Sequence, residues 1–137
     1  MRKLKLFSML LLLLIGVGQM WADASFAPSD FTGQGTSGTG SKITATKSTV
    51  TFTCNKGYGT TQFRCYSGGK ITISSSNTIT AISFTWSGSY TGGLSASYTN
   101  LNTNSWEFTL TSQARLTACT VTYSSGSTPQ PTVSAIP

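Results

Sequence analysis

Across residues 71–86 apolar and hydroxylated side chains alternate, in two runs separated by Ser75-Ser76-Asn77. Successive side chains of a β-strand point to opposite faces. Ile71 and Ile73 therefore share one face of a first strand, and Ile82, Phe84 and Trp86 one face of a second, while Thr72, Ser83 and Thr85 look outward. The pattern predicts a hairpin that turns at Ser75-Ser76-Asn77. A period of two sustained over this length excludes a helix.

The same period recurs on both sides of this stretch. Residues 48–54 put Val50, Phe52 and Cys54 on one face and Thr49, Thr51 and Thr53 on the other; residues 61–66 bring Phe63 and Cys65 inward beyond a turn at residues 55–59. Strands are also predicted over residues 42–46 with Ile43 inward, 94–98 with Leu94, and 105–111 with Trp106, Phe108 and Leu110 in step. A glycine-bearing loop is expected over residues 87–93. Within residues 114–123 the phase changes between Leu116 and the set Cys119, Val121 and Tyr123, and a β-bulge near Thr117-Ala118 returns all four to one face. About eight short strands with no helical period predict an all-β fold, a two-sheet antiparallel sandwich of Ig-like or jelly-roll-like kind. It is expected to occupy residues 42–124.

The flanks read differently. Arg2, Lys3 and Lys5 precede an apolar run from Leu6 to Val17 and a small-residue site at Ala22-Asp23-Ala24, the order of a secretory signal peptide over residues 1–24. Gly16, Gly18 and Gln19 interrupt that run short of the ~18 apolar residues a membrane span needs. The expected chain is secreted, periplasmic or at the cell surface, with no membrane span after cleavage behind Ala22 or Ala24. Residues 25–41 are rich in Gly, Ser and Thr and read as a flexible or surface-wrapped segment in which Phe26 and Phe31 add at most one edge strand. Residues 125–137, with Pro129 and Pro131, read as a linker.

The formal charge of +6 includes Arg2, Lys3 and Lys5 of the leader; without them six basic residues face three acidic ones. Lys42, Lys47, Lys56, Arg64, Lys70 and Arg115 are spread along the chain, which argues against a nucleic-acid partner, because phosphates call for a continuous basic track. The absence of histidine removes His-based triads, His metal ligands and the commonest general base. Asp23, Asp30 and Glu107 form neither the paired carboxylates of a glycosidase nor a calcium cluster. No catalytic residue, metal ligand or cofactor is predicted, and the chain is read as not an enzyme.

Three cysteines are an odd number, so an oxidising compartment leaves at least one unpaired or paired between molecules. A Cys54–Cys65 disulfide follows if antiparallel pairing sets the two opposite each other; buried free thiols are the other arrangement. Cys119, in step with Val121, reads as a small apolar residue.

Tyr58, Tyr66, Tyr90 and Tyr98 fall in expected loops or out of phase with the inward set. Exposed aromatic rings beside amide and hydroxyl groups hold sugars by stacking and hydrogen bonding. These tyrosines and Arg64 are the candidate ligand-binding residues, set against a purely anchoring role for half-buried loop rings. Trp86 and Trp106 follow the inward alternation and are expected in the core. The threonine-rich outward faces need no special ligand, since threonine favours solvated strand faces.

The succession Val50-Thr-Phe-Thr, Lys56-Gly-Tyr-Gly-Thr-Thr-Gln-Phe-Arg64-Cys-Tyr66, Ile71-Thr-Ile, Ile79-Thr-Ala-Ile-Ser-Phe-Thr85, Gln113-Ala-Arg-Leu-Thr and Thr120-Val-Thr-Tyr123 resembles a small β-sandwich module that recurs in exported multidomain proteins of anaerobic gram-negative bacteria. The resemblance covers roughly residues 31–123. It implies a non-catalytic accessory or adhesive role and brings no established site residues. The expected function is an exported accessory or adhesion module that binds glycan or a cell-surface polymer. The alternative is a structural spacer domain of a truncated multidomain surface protein or enzyme.

Overall fold

The structure, a computed structural model, describes residues 20–125. Most of the leader read over residues 1–24 and nearly all of the linker read over 125–137 lie outside the described residues. A compact unit runs from Asp23 to Tyr123, and just outside it Ser125 N donates to Met20 O at 2.8 Å.

Eight strands are described: β1 (Trp21–Phe26), β2 (Ser41–Lys47), β3 (Val50–Gly59), β4 (Phe63–Cys65), β5 (Lys70–Thr91), β6 (Ser97–Tyr98), β7 (Thr103–Thr109) and β8 (Ala114–Ser124), with one 3-10 turn at Pro28–Asp30. The fold is all-β and largely antiparallel, as the alternation predicts. All eight strands belong to one hydrogen-bonded network. β3 pairs with β2, β4 and β5, and β8 pairs with β4 and β5. The pairings β3–β5, β5–β8, β8–β4 and β4–β3 thus close a ring.

The expected hairpin at Ser75-Ser76-Asn77 is not formed: residues 70–91 are a single strand of 22 residues. Its first half has no free edge on which to fold back, because β3 occupies one side and β7 the other (Ile73 opposite Phe52 and Trp106). Its second half pairs with β8 and β6. Ser75-Ser76-Asn77 is the bend between the halves. There Ser75 Oγ shares a hydrogen bond with Thr49 Oγ1 (3.0 Å) and accepts one from Asn77 N (3.0 Å), while Asn104 Nδ2 donates to the carbonyls of Ser75 (3.1 Å) and Asn77 (3.0 Å). Polar groups that a turn would leave to water are satisfied inside the sheet. Asn104→Ala removes both bonds at a site open to water and is expected to lower stability by about 0.5–1.5 kcal/mol, read from the urea unfolding midpoint.

Two bulges keep the inward faces aligned. Ile79 opposes Tyr123 and Ala81 opposes Thr122, so one extra residue in β5 moves the buried set from Ile71, Ile73 and Ile79 to Ile82 and Phe84. In β8, Ala118 opposes Thr85 and Leu116 opposes Trp86, which is the bulge expected at Thr117-Ala118; Leu116, Cys119, Val121 and Tyr123 are all buried. Trp86, Trp106 and Phe108, expected in the core, are only half-buried. Trp106 and Phe108 lie on the same face as buried Ile73 and Ile71, but among the described residues β7 pairs with β5 alone, and no further strand beside it covers the rings.

The packed domain begins earlier than Lys42. Ala24, Phe26 and Phe31 are buried, the two rings completely. Phe31 stacks on Phe63 (4.6 Å between centroids) and meets Phe52 edge-on (5.3 Å). The segment after it lies along the end of β3: Gly33 N donates to Gly59 O (3.0 Å), Gly59 N to Gln34 O (2.8 Å) and Thr36 N to Gly57 O (3.2 Å). Glycine-rich composition predicts freedom, yet burying two phenylalanines and pairing the backbone offsets the entropy of ordering it. Asp30 closes this segment on β2 through Lys47 (3.1 Å) and accepts from Ala27 N (2.7 Å). Burial opposes ionisation of Asp30, but the Ala27 N–H and the Lys47 ammonium outweigh it and hold the carboxyl below its ordinary range.

Candidate functional site

The site is built on the outer face where β3, β4 and β8 run side by side. β3 does not turn at residues 55–59 as expected. It continues to Gly59, and the turn falls at Thr60, whose N–H donates to Gln62 O (2.8 Å). Tyr58 is therefore a strand residue directly opposite Arg64, and Arg64 is directly opposite Arg115 on β8. Phe63 and Cys65 alternate with Arg64, and Ala114 and Leu116 with Arg115; all four are buried, so both arginines leave the opposite face. Tyr90, expected in a loop, is also in a strand, and the Arg115 guanidinium carbon sits 3.9 Å from its ring centroid. Tyr58, Arg64, Arg115 and Tyr90 thus form one row across four strands.

Two like charges directly across a strand pair destabilise it. Among the described residues no carboxylate relieves this pair by charge. The chain has three side-chain carboxylates: Asp30 is held by Lys47, Glu107 pairs with Lys70 (3.5 Å), and Asp23 accepts from Thr122 Oγ1 (2.8 Å). The Nε atoms of Arg64 and Arg115 are buried and have no hydrogen-bond partner. A guanidinium over an aromatic face gains about 0.5–1 kcal/mol at an exposed site, so Tyr90 (41 % exposed) compensates Arg115 only in part.

Tyr66 and Lys56 border the row, each two residues from a member of it and in the same phase. The Tyr66 hydroxyl accepts from Gly38 N (2.9 Å), and Lys56 Nζ donates to Ser67 O (3.1 Å). Of the five residues singled out from sequence, Tyr58, Arg64, Tyr66 and Tyr90 come together. Tyr98 does not. It is on β6 opposite Ile82, its ring packs on Trp106 (4.9 Å) and Phe84 (6.2 Å), and its hydroxyl accepts from Ser95 N (2.9 Å). Arg115 is the member that sequence reasoning did not single out. Its alternation with Ala114 and Leu116 marks it as outward, but only the β4–β8 pairing reveals its neighbour. Two cations far apart in the chain, Arg64 and Arg115, are thus brought together by the β4–β8 pairing.

The three cysteines are free and buried. Cys65 lies opposite Gly57, and Cys54 opposite Ile71, so the pairing that would set Cys54 across from Cys65 does not occur. The neighbouring Cys65 side chain lets Cys54 ionise more readily, and Cys65, buried beside Cys54, is pushed well up. Burial alone pushes Cys119 up. Glu107 is exposed on the outer face of β7 beside Lys70. On the threonine-rich face, hydroxyls bond to one another, Thr44 to Thr53 (3.1 Å) and Thr46 to Thr51 (2.9 Å). Comparison with protein-family models, with curated proteins and with solved structures returned no match.

Proposed function

We propose that the chain is an exported, non-catalytic accessory or adhesion module that binds a glycan or glycan-bearing surface polymer on the Tyr58–Arg64–Arg115–Tyr90 face. The observation that carries this reading is the row itself: two tyrosines flank two arginines that no carboxylate among the described residues neutralises. Aromatic rings offer stacking surface to sugar rings, and the guanidinium forks offer donors to their oxygens. Rigid strands hold all four side chains, so little ordering entropy is lost on binding.

The absence of histidine and the engagement of all three carboxylates elsewhere favour contact without turnover. A two-layer sandwich is part of the same proposal: β5 bends at Ser75–Asn77, with β3 and β7 on one half and β8 and β6 on the other. For export, a compact unit that opens at Asp23 supports cleavage after Ala22, since loss of Asp23 would remove the acceptor of Thr122. The spacer alternative is less favoured. Asp23 and Thr122 are bonded, so the two ends of the compact unit are adjacent, whereas a spacer gains reach from ends at opposite poles.

A glycan array tests the reading. Binding is expected, with a roughly three- to tenfold loss of affinity for Tyr58→Ala or Tyr90→Ala. Silence of the wild-type chain across the array would favour the spacer.

A further inference from the structure

We infer that the sugar recognised on this face is acidic, its oxyanion held between Arg64 and Arg115. The inference rests on the glycan reading above and adds the ligand's charge and the pair that reads it. Opposed arginines are unfavourable in the free protein, and buried Nε–H groups without acceptors are rarer still. One anion between the guanidinium groups neutralises the repulsion and supplies acceptors to their terminal N–H groups, whose planar forks match a carboxylate or sulfate group. Tyr58 on one side and Tyr90 on the other lie where the flanking sugar rings would extend.

The charge pattern around the pair limits the partner. Lys47 and Lys70 are paired with Asp30 and Glu107, and Lys56, which borders the row, is bonded to the Ser67 carbonyl, so among the described residues a short cluster rather than a long track of cations accompanies the arginines. That favours a single acidic group on a sugar over a nucleic-acid backbone. Uronic-acid carboxylates and sugar sulfates share the required oxyanion, and the probes below separate them.

The test measures affinity of the full chain for polygalacturonate, chondroitin sulfate, uncharged dextran and single-stranded poly-dT by isothermal titration at two salt concentrations. Polygalacturonate or chondroitin sulfate should bind, more weakly as salt rises; tighter binding of polygalacturonate identifies the carboxylate as the group read, and chondroitin sulfate binding that is lost with desulfated chondroitin, which keeps its carboxylates, identifies the sulfate. Arg64→Gln and Arg115→Gln should each lower that affinity about tenfold or more. Arg64→Lys, which keeps the charge and loses the fork, should recover only part of the loss. The melting temperature of Arg64→Gln should be equal to or above that of the wild type, because the cross-strand repulsion is gone; a merely structural arginine would lower it.

Undiminished binding by both glutamine variants would overturn the inference. Equal binding of dextran and polygalacturonate would overturn it too while leaving a glycan-binding module intact. Tighter binding of poly-dT than of either acidic glycan would replace the sugar with a nucleic acid, and failure of every probe would remove the glycan reading along with the inference.

Discussion

Phe52→Ala is expected to destabilise the chain by about 3–5 kcal/mol, measured as the shift of the urea unfolding midpoint followed by tryptophan fluorescence. Phe52 has no exposed surface, and its ring centroid lies 5.8 Å from Phe26, 5.3 Å from Phe31 and 5.5 Å from Phe63. It joins the N-terminal segment to β3, while Phe63 of β4 meets that segment directly through Phe31. Truncation loses the transfer free energy of the ring and leaves a cavity that three flanking aromatic rings, fixed by their own strands and backbone bonds, close only in part. Against a typical total of about 5–15 kcal/mol, the loss is a large fraction. Phe52→Leu, which keeps most of the volume, should cost about 1–1.5 kcal/mol. A loss near zero for Phe52→Ala would show that the four rings do not form one packed cluster.

Gly59→Val should destabilise the fold by about 3–5 kcal/mol and loosen the segment after Phe31. Replacing a glycine inside a strand ordinarily helps, by about 0.5–1 kcal/mol for alanine, because the unfolded chain loses freedom. Here the sign reverses. A Cβ on residue 59 would run into the carbonyl of Phe31. Overpacking costs about 1–3 kcal/mol, and the two backbone bonds that tie residue 59 to Gly33 and Gln34 contribute about 1 kcal/mol each. Hydrogen exchange gives the sharper readout: the amide of Gly59, which donates to Gln34 O in the wild type, should lose protection at residue 59 of the variant. A Gly59→Ala chain as stable as the wild type would contradict the close approach of the Phe31 backbone.

Much of the candidate site can be read from outwardness alone. Tyr58, Arg64 and Tyr66 stand out because each is a large polar side chain out of step with Phe63 and Cys65 or beside glycines. Their assembly depends on contacts that no local pattern contains. Arg64 meets Arg115 because β4 is inserted between β3 and β8, and Tyr90 reaches Arg115 because β5 continues past the glycine-bearing stretch expected to be a loop. Tyr98 looked equivalent to the other tyrosines, but its strand pairs with the far half of β5. The cysteines show the same limit: two thiols close in sequence are placed by the partners of their strands, and those partners are Ile71 and Gly57.

Amino-acid order by itself determines the all-β class, the inward identity of Val50, Phe52, Ile71, Ile73, Ile82 and Phe84, and the bulge that realigns Leu116 with Cys119. Each follows from a two-residue period and the cost of placing polar groups in a dry interior, both local properties. Tertiary structure decides whether Ser75-Ser76-Asn77 turns or bends, whether Phe26 and Phe31 are buried, and which arginine stands opposite which. The physical reason is that a serine-rich break is compatible with either a turn or a bend, and the outcome rests on distant groups: the Asn104 amide that satisfies its carbonyls, and the β3 and β7 edges that occupy both sides of the first half of β5.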